Sequence, residues 1–248
     1  MEPNDRAGAQ MAAVLKTLRW SLTSLQLAGI SDWPVTQEQE AATTTTETEV
    51  RSDRGDASWR LLEIRQELGD CRRCGLHRGR SSLVFGEGAA QARLVFVGEG
   101  PGLDEDRQGR PFVGRAGKLL DNMIRALGLQ REEVYICNVV KCRPPGNRTP
   151  ESGEIQTCSP FLFRQLETIA PRVICALGAC AAQTLLATTK AISSLRGRPL
   201  SWHGTALVCT FHPAYLLRNP AQKASSWQDL LVIQRILHAE KEVYDHES

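Results

Sequence analysis

"VFVGEGPGLDED", residues 95–106, carries a β-branched apolar run into a Gly-Glu-Gly-Pro-Gly turn and then into an acidic run. The run that it completes, "RLVFVG" (93–98), is one of four of its kind. The others are "VYICNVV" (134–140), "RVICALG" (172–178) and "ALVCTF" (206–211). Each is short, almost wholly apolar and rich in β-branched residues, the pattern of a strand buried on both faces. Helical patterns lie between them at about 115–127, 151–169 and 179–187, and another follows at about 221–238. The alternation predicts an α/β fold, a three-layer αβα arrangement around a central, mostly parallel four-stranded sheet. In such a sheet ligand chemistry collects at the carboxyl ends of the strands, where the glycine turn sits.

Other strand ends carry matching chemistry. Asn138 falls at the end of the second run and His212 directly follows the fourth, while Phe112 lies in the loop "GRPFVG". Exposed turn N–H groups, an amide, an imidazole and an aromatic plate together suit a flat heterocycle. A phosphate is disfavoured: "GRAGK" (114–118) lacks the earlier glycine of a nucleotide P-loop, and an acidic run at Asp104–Asp106 follows the turn.

A chain of 248 residues with 42% apolar content can bury one substantial core. The net charge is only +2, but cations cluster: Arg72, Arg73, Arg78 and Arg80 in one stretch, Lys141, Arg143 and Arg148 in a second, and Lys190, Arg196 and Arg198 in a third. Brought together they would face phosphate. No apolar run is long enough to span a membrane, and the charged start is unlike a signal peptide. A cytoplasmic, reducing setting is therefore expected, which argues against a disulfide framework for eight cysteines.

Upstream of this body, Met11, Val14, Leu15, Leu18, Leu22 and Leu25 recur at helical spacing. An amphipathic helix is expected over 10–28 within an N-terminal extension, 1–35, and a protein partner could dock on it. Thr, Glu, Gln and Asp dominate 36–56, which reads as a flexible tether. The main domain is expected over 57–240, with a short tail at 241–248.

Cysteine placement supplies a second constellation. Cys71-x2-Cys74 has metal-ligand spacing, and Cys142 and Cys158 lie outside the strand runs. Cys137, Cys175 and Cys209 fall within strands and Cys180 opens a helix, so these read as buried thiols. Four loop-side cysteines suit zinc or a [4Fe–4S] cluster, and spacing does not choose between them.

"GEGPGLDEDRQGRPFVGRAGKLLDNM", "NVVKCRPPGNRTPE" and "FHPAYLLRNP", taken with Cys71, Cys74, Cys142 and Cys158, resemble the family 4 uracil-DNA glycosylases of bacteria and archaea over about Trp59–Leu237. The family's first motif has alanine where this chain has Gly100. A DNA-trapping relative carries a histidine-containing insertion after the third cysteine, whereas 143–157 here has no histidine, which favours turnover. The resemblance implies a monomeric, nucleoid-associated repair enzyme acting on uracil in single- or double-stranded DNA. It also implies a [4Fe–4S] cluster on the four named cysteines, organising basic loops that include Arg72, Arg73 and Arg143.

On this view the base is flipped from the duplex. Leu216 or Leu217 fills the gap and Arg218 holds a phosphate. Phe112 stacks on uracil against the turn Gly98–Gly102, Asn138 reads O4 and N3–H, and Glu105 or Gly102 turns away the thymine methyl. His212 stabilises the leaving O2 anion, and Glu99 orients water or supports the cationic sugar. Three alternatives are a non-catalytic iron–sulfur DNA-binding protein, a glycosylase for another deaminated base such as hypoxanthine, and a zinc-bound interaction protein.

Overall fold

A computed structural model describes residues 47–239, with side chains from residue 57 onward. The expected helix over 10–28, the rest of the extension and the tail 241–248 lie outside the described residues. So does 36–46 of the expected tether. The remainder of that tether opens the first helix, α1 (Glu47–Leu68). Its polar composition, without aliphatic residues at helical spacing, disguised this.

Six strands form one sheet, in the order β1-β3-β2-β4-β6-β5. They are β1 (Glu87–Gly88), β2 (Leu94–Gly98), β3 (Tyr135–Asn138), β4 (Val173–Leu177), β5 (Pro199–Trp202) and β6 (Thr205–Thr210). The four expected runs are β2, β3, β4 and β6, paired in parallel. Two short strands extend the edges antiparallel to them, β1 on β3 and β5 on β6. Both are the part-exposed margins of the sheet, so neither shows a continuous apolar run.

Alternation along β2 divides the core. Val95 and Val97 point to a cluster with Leu61, Ile64 and Leu68 of α1, Leu162 and Leu166 of α4 (Ser152–Ile169) and Leu185 of α5 (Ala179–Leu186). Leu94 and Phe96 point the other way, to Leu120 and Ile124 of α3 (Arg115–Ala126), Leu216 of α7 (Pro213–Arg218) and Ile233 of α8 (Lys223–His238). These are the three expected layers. The remaining helices are short: α2 (Leu103–Gln108) follows the glycine turn and α6 (Ile192–Leu195) precedes β5. None of the described helices is long and apolar enough to cross a membrane.

The chain leaves β2 toward β3 on one side and leaves β4 toward β6 on the other. That divergence makes the carboxyl ends of β2 and β4 the topological switch point, where an open α/β sheet gapes.

Candidate active site

A cavity of about 430 Å³ opens at that point, lined among others by Glu99, Gly100, Gly102, Glu105, Phe112, Asn138, His212 and Arg218. The loops after β2 and β6, the end of β3 and the "GRPFVG" segment thus converge as the sequence led one to expect. Residues unremarked in the sequence also line it: Ala116, Pro144, Asn147, Thr149 and Tyr215.

Register explains the closeness of its parts. Gly98 of β2 pairs with Asn138 of β3, and the ladder continues past both strands, since the N–H groups of Val139 and Val140 donate to the carbonyls of Gly98 and Glu99 at 2.9 and 3.1 Å. A Cβ at position 98 would lie 2.4 Å from Asn138 Oδ1 and 2.6 Å from Phe112 Cζ. Glycine is required because the amide and the ring both press on the bare backbone. Asn138 is buried and its Oδ1 has no hydrogen-bond partner in the protein. A buried acceptor without a donor is costly, and one facing a cavity is a place for a ligand N–H.

Phe112 is buried at the cavity with φ +50°, a left-handed conformation that costs a non-glycine residue of order 1–3 kcal/mol. Gly117 packs against its carbonyl so tightly that a Cβ there would sit 1.9 Å from the oxygen. The ring centroid of Phe112 lies 5.5 Å from that of His212, with the planes tilted by 32°.

His212 caps α7: its Nδ1 accepts the Ala214 N–H at 3.1 Å. Accepting at Nδ1 leaves the proton of a neutral imidazole on Nε2. Burial, helped by the charge of Arg218 and opposed by that of Glu105, pushes its pKa down to about 4. The ring is therefore neutral at physiological pH and donates from Nε2. Glu99 lines the same cavity, and burial raises its carboxyl above the ordinary value.

The acidic run has structural duties. Glu105 accepts the N–H groups of Gly102, Val113 and Gly114 at 3.1, 2.9 and 2.9 Å, tying the glycine turn to the Phe112 loop. These bonds fix the Glu105 side chain and the Gly102 turn in place at the cavity, which both of them line. Asp106, buried, accepts from the backbone of Ser81 at 2.9 and 3.0 Å and so anchors the stretch that follows Cys74.

Among the expected DNA contacts, Leu216 is only 2% exposed and belongs to the core beneath α7. Leu217, its neighbour on α7, is half-buried. Arg218 is exposed at the cavity rim. Arg143 Nε donates to Asn147 Oδ1 at 2.7 Å beside the cavity. Arg72 is exposed and paired with Asp70 at 2.9 Å. Arg73 is exposed but engaged: it donates to Cys71 Sγ at 3.3 Å and to two carbonyls of α1, and lies 5.0 Å from the Phe161 ring centroid.

Cys71, Cys74, Cys142 and Cys158 line one small apolar void on the α1–α4 side of the sheet, with Leu68, Leu83 and Phe161. Among the described residues, no three His, Cys, Asp or Glu side chains close on a single metal ion. N–H donors converge on the sulfurs. Arg80 reaches Cys142 Sγ at 3.1 Å, and the Lys141 backbone reaches Cys158 Sγ at 3.3 Å. Burial pushes the Cys158 thiol up to about 11 and raises Cys142, so a metal group must displace protons to bind there.

This sorting yields a prediction. Arg218→Ala is expected to weaken DNA binding at every sequence and to lower the slope of log affinity against log salt by about one, the signature of one lost phosphate contact. Arg73→Ala is expected to leave that slope unchanged. Filter-binding titrations across salt check both, and a slope that falls for Arg73→Ala would return it to the DNA face.

A slot at a switch point, with an aromatic plate, an amide and a neutral imidazole around it, defines a class of α/β proteins that read a single flat base. A profile of the uracil DNA glycosylase superfamily matches residues 85–231, more than half of the chain. The type-4 uracil-DNA glycosylase of Thermotoga maritima is 53% identical over 162 residues, spanning 64% of this chain and 84% of the relative. Those of Sulfurisphaera tokodaii and Archaeoglobus fulgidus are 42% and 45% identical over 185 and 168 residues, spanning 71% and 64% of this chain and 84% of each relative. The chain belongs to the uracil-DNA glycosylase superfamily, in its type-4 family.

Proposed function

We propose that this chain flips uracil out of DNA and hydrolyses its N-glycosidic bond, leaving free uracil and an abasic site. The observation that carries the proposal is the pairing of an unpartnered Asn138 Oδ1 with a neutral His212 across one cavity, with Phe112 beside them. Asn138 Oδ1 accepts uracil N3–H and its amide N–H donates to O4. Cytosine, with an acceptor at N3 and donors at N4, leaves both groups unsatisfied. Phe112 stacks on the base, a contact worth about 1–3 kcal/mol.

As the bond breaks, negative charge gathers on uracil O2 and positive charge on the sugar. His212 Nε2–H meets the O2 charge, and its neutrality in the ground state reserves the strongest interaction for the transition state. Glu99, when ionised, supports the sugar cation or orients the attacking water. Leu217 fills the space left in the stack and Arg218 holds the neighbouring phosphate. A methyl at Gly100 would press on Val140 Cγ2 at 2.8 Å and lie 3.6 Å from Pro144 Cδ, so the bare backbone there leaves room for Val140.

Cys71, Cys74, Cys142 and Cys158 are the residues that would hold a [4Fe–4S] cluster. Sulfurs that ring a void instead of meeting at one point, with cationic donors on two of them, suit a cluster of several irons better than a single zinc ion. Held by these four thiolates, the cluster would supply iron–sulfur bonds that fasten three segments of chain into one lobe.

Single- and double-stranded oligonucleotides carrying uracil, hypoxanthine or thymine, incubated with anaerobically purified protein and then treated with alkali, test the proposal. Scission confined to uracil strands is the expected result. Base binding without scission would make the chain a DNA-binding module, and scission at hypoxanthine would move its specificity.

A further inference from the structure

Lys141 is fully buried, with 0% of its surface exposed, and nothing in the excision chemistry employs it. Its Nζ donates to the Asn138 carbonyl at 2.8 Å and to Gln165 Oε1 of α4 at 2.6 Å. Gln165 in turn donates to the Phe85 carbonyl and to Tyr135 Oη, each at 3.1 Å. The backbone of Lys141 is held as well: its N–H points to Cys158 Sγ, and its carbonyl accepts the Val84 N–H at 2.8 Å. One residue therefore touches the carbonyl of the base-reading asparagine, helix α4 and the sulfur lobe.

We propose that Lys141 is a positioning residue for uracil selection, its Nζ fixing the Asn138 main chain so that the carboxamide stands at one depth in the slot. Asn138 is the last residue of β3: β2 pairs with it, but β1 reaches only Tyr135 and Ile136, so the other edge of its backbone has no strand neighbour. Its carboxamide gains no fixing bond at Oδ1 from the protein, so its aim depends on its backbone. The Lys141 bond supplies that constraint from three residues downstream, closing the turn that leads to Cys142. Both protonation states of the amine provide the donor, so the device does not depend on titration. Burying such a long cationic side chain is costly unless its donors are satisfied, and here they are spent on the carbonyl of the specificity residue. A lobe held by its sulfur ligands thus also sets the position of the group that reads the base.

The inference rests on the proposed uracil chemistry, and the test separates the two. Lys141→Met keeps length and removes the donor. Wild type and variant are compared for kcat and KM on uracil DNA, for free-uracil binding by calorimetry, and for iron content. Free-uracil affinity and kcat are expected to fall about tenfold or more, as for one buried acceptor left unpaired. KM for DNA, set mainly by phosphate contacts, is expected to change less than about twofold, with iron content unchanged. Unchanged uracil binding and turnover would overturn the inference alone, and so would iron lost in step with activity, because Lys141 would then serve the lobe. A wild-type chain that neither excises nor binds uracil would overturn the function first and the inference with it. If Lys141→Met does not fold, Gln165→Met is measured, since it removes the second acceptor and keeps the Asn138 bond. Retained uracil affinity then supports the assignment, and a tenfold loss overturns it.

Discussion

Replacing His212 with alanine is expected to lower kcat by about 10²–10³-fold, the cost of one donor to a developing oxyanion, while leaving affinity for abasic DNA nearly unchanged. The expectation follows from the hydrogen bond at Nδ1. With that nitrogen accepting from Ala214, the ring keeps its proton on Nε2. Its pKa near 4 also predicts a particular pH dependence. An unfolded histidine takes up a proton near pH 6.5, whereas the folded one resists until about 4, so acid favours the unfolded chain. The stability from this site is complete above about 6.5 and is lost as pH falls toward 4. Melting temperatures of wild type and His212→Ala between pH 7.5 and 5 should therefore converge on the acid side, and kcat should show no limb near pH 6.5 owing to this residue. A kcat limb at pH 6.5 that disappears in His212→Ala would mean that the ring works as a cation.

Asn138→Ala is expected to be nearly as damaging by a different route. It removes both polar partners of the base edge, and each buried group left unpaired costs about 1–3 kcal/mol. The sum, about 2–6 kcal/mol, corresponds to a loss in kcat/KM between about 30-fold and about 10⁴-fold. The distinguishing result is discrimination: preference for uracil over cytosine should collapse along with the rate, while DNA binding at low salt persists. A slow variant that still rejected cytosine would place the recognition elsewhere in the cavity.

Much of this was legible in the chain itself, for identifiable reasons. β2, β3, β4 and β6 are buried on both faces, so continuous apolar runs announced them, and Asn138 and His212 stood out as polar residues where those runs stop. The edge strands β1 and β5 were silent because they are short and part-exposed. Sequence could place Leu216 and Leu217 on α7 but not its rotation about its axis, which buries the first and leaves the second at the surface. Local partners were equally hidden: Arg73, exposed as a phosphate contact would be, bonds Cys71 and carbonyls of α1, and Glu105, read as a gate, holds three backbone N–H groups. Lys141 gave no signal, since a lysine beside a cysteine in a basic stretch looks like solvent-facing charge until the fold encloses it.

The pairing of Gly98 with Asn138 makes the sheet itself a calliper. Its jaws are peptide planes zipped by main-chain bonds on either side of the closest approach, so backbone sets their gap while the Lys141 bond holds the residue carried on one of them. Changing that gap would demand shearing β2 against β3 and turning apolar residues out of both core layers. On the proposed function, the aim of the base-reading amide is thus guarded by the same cohesion that keeps the chain folded.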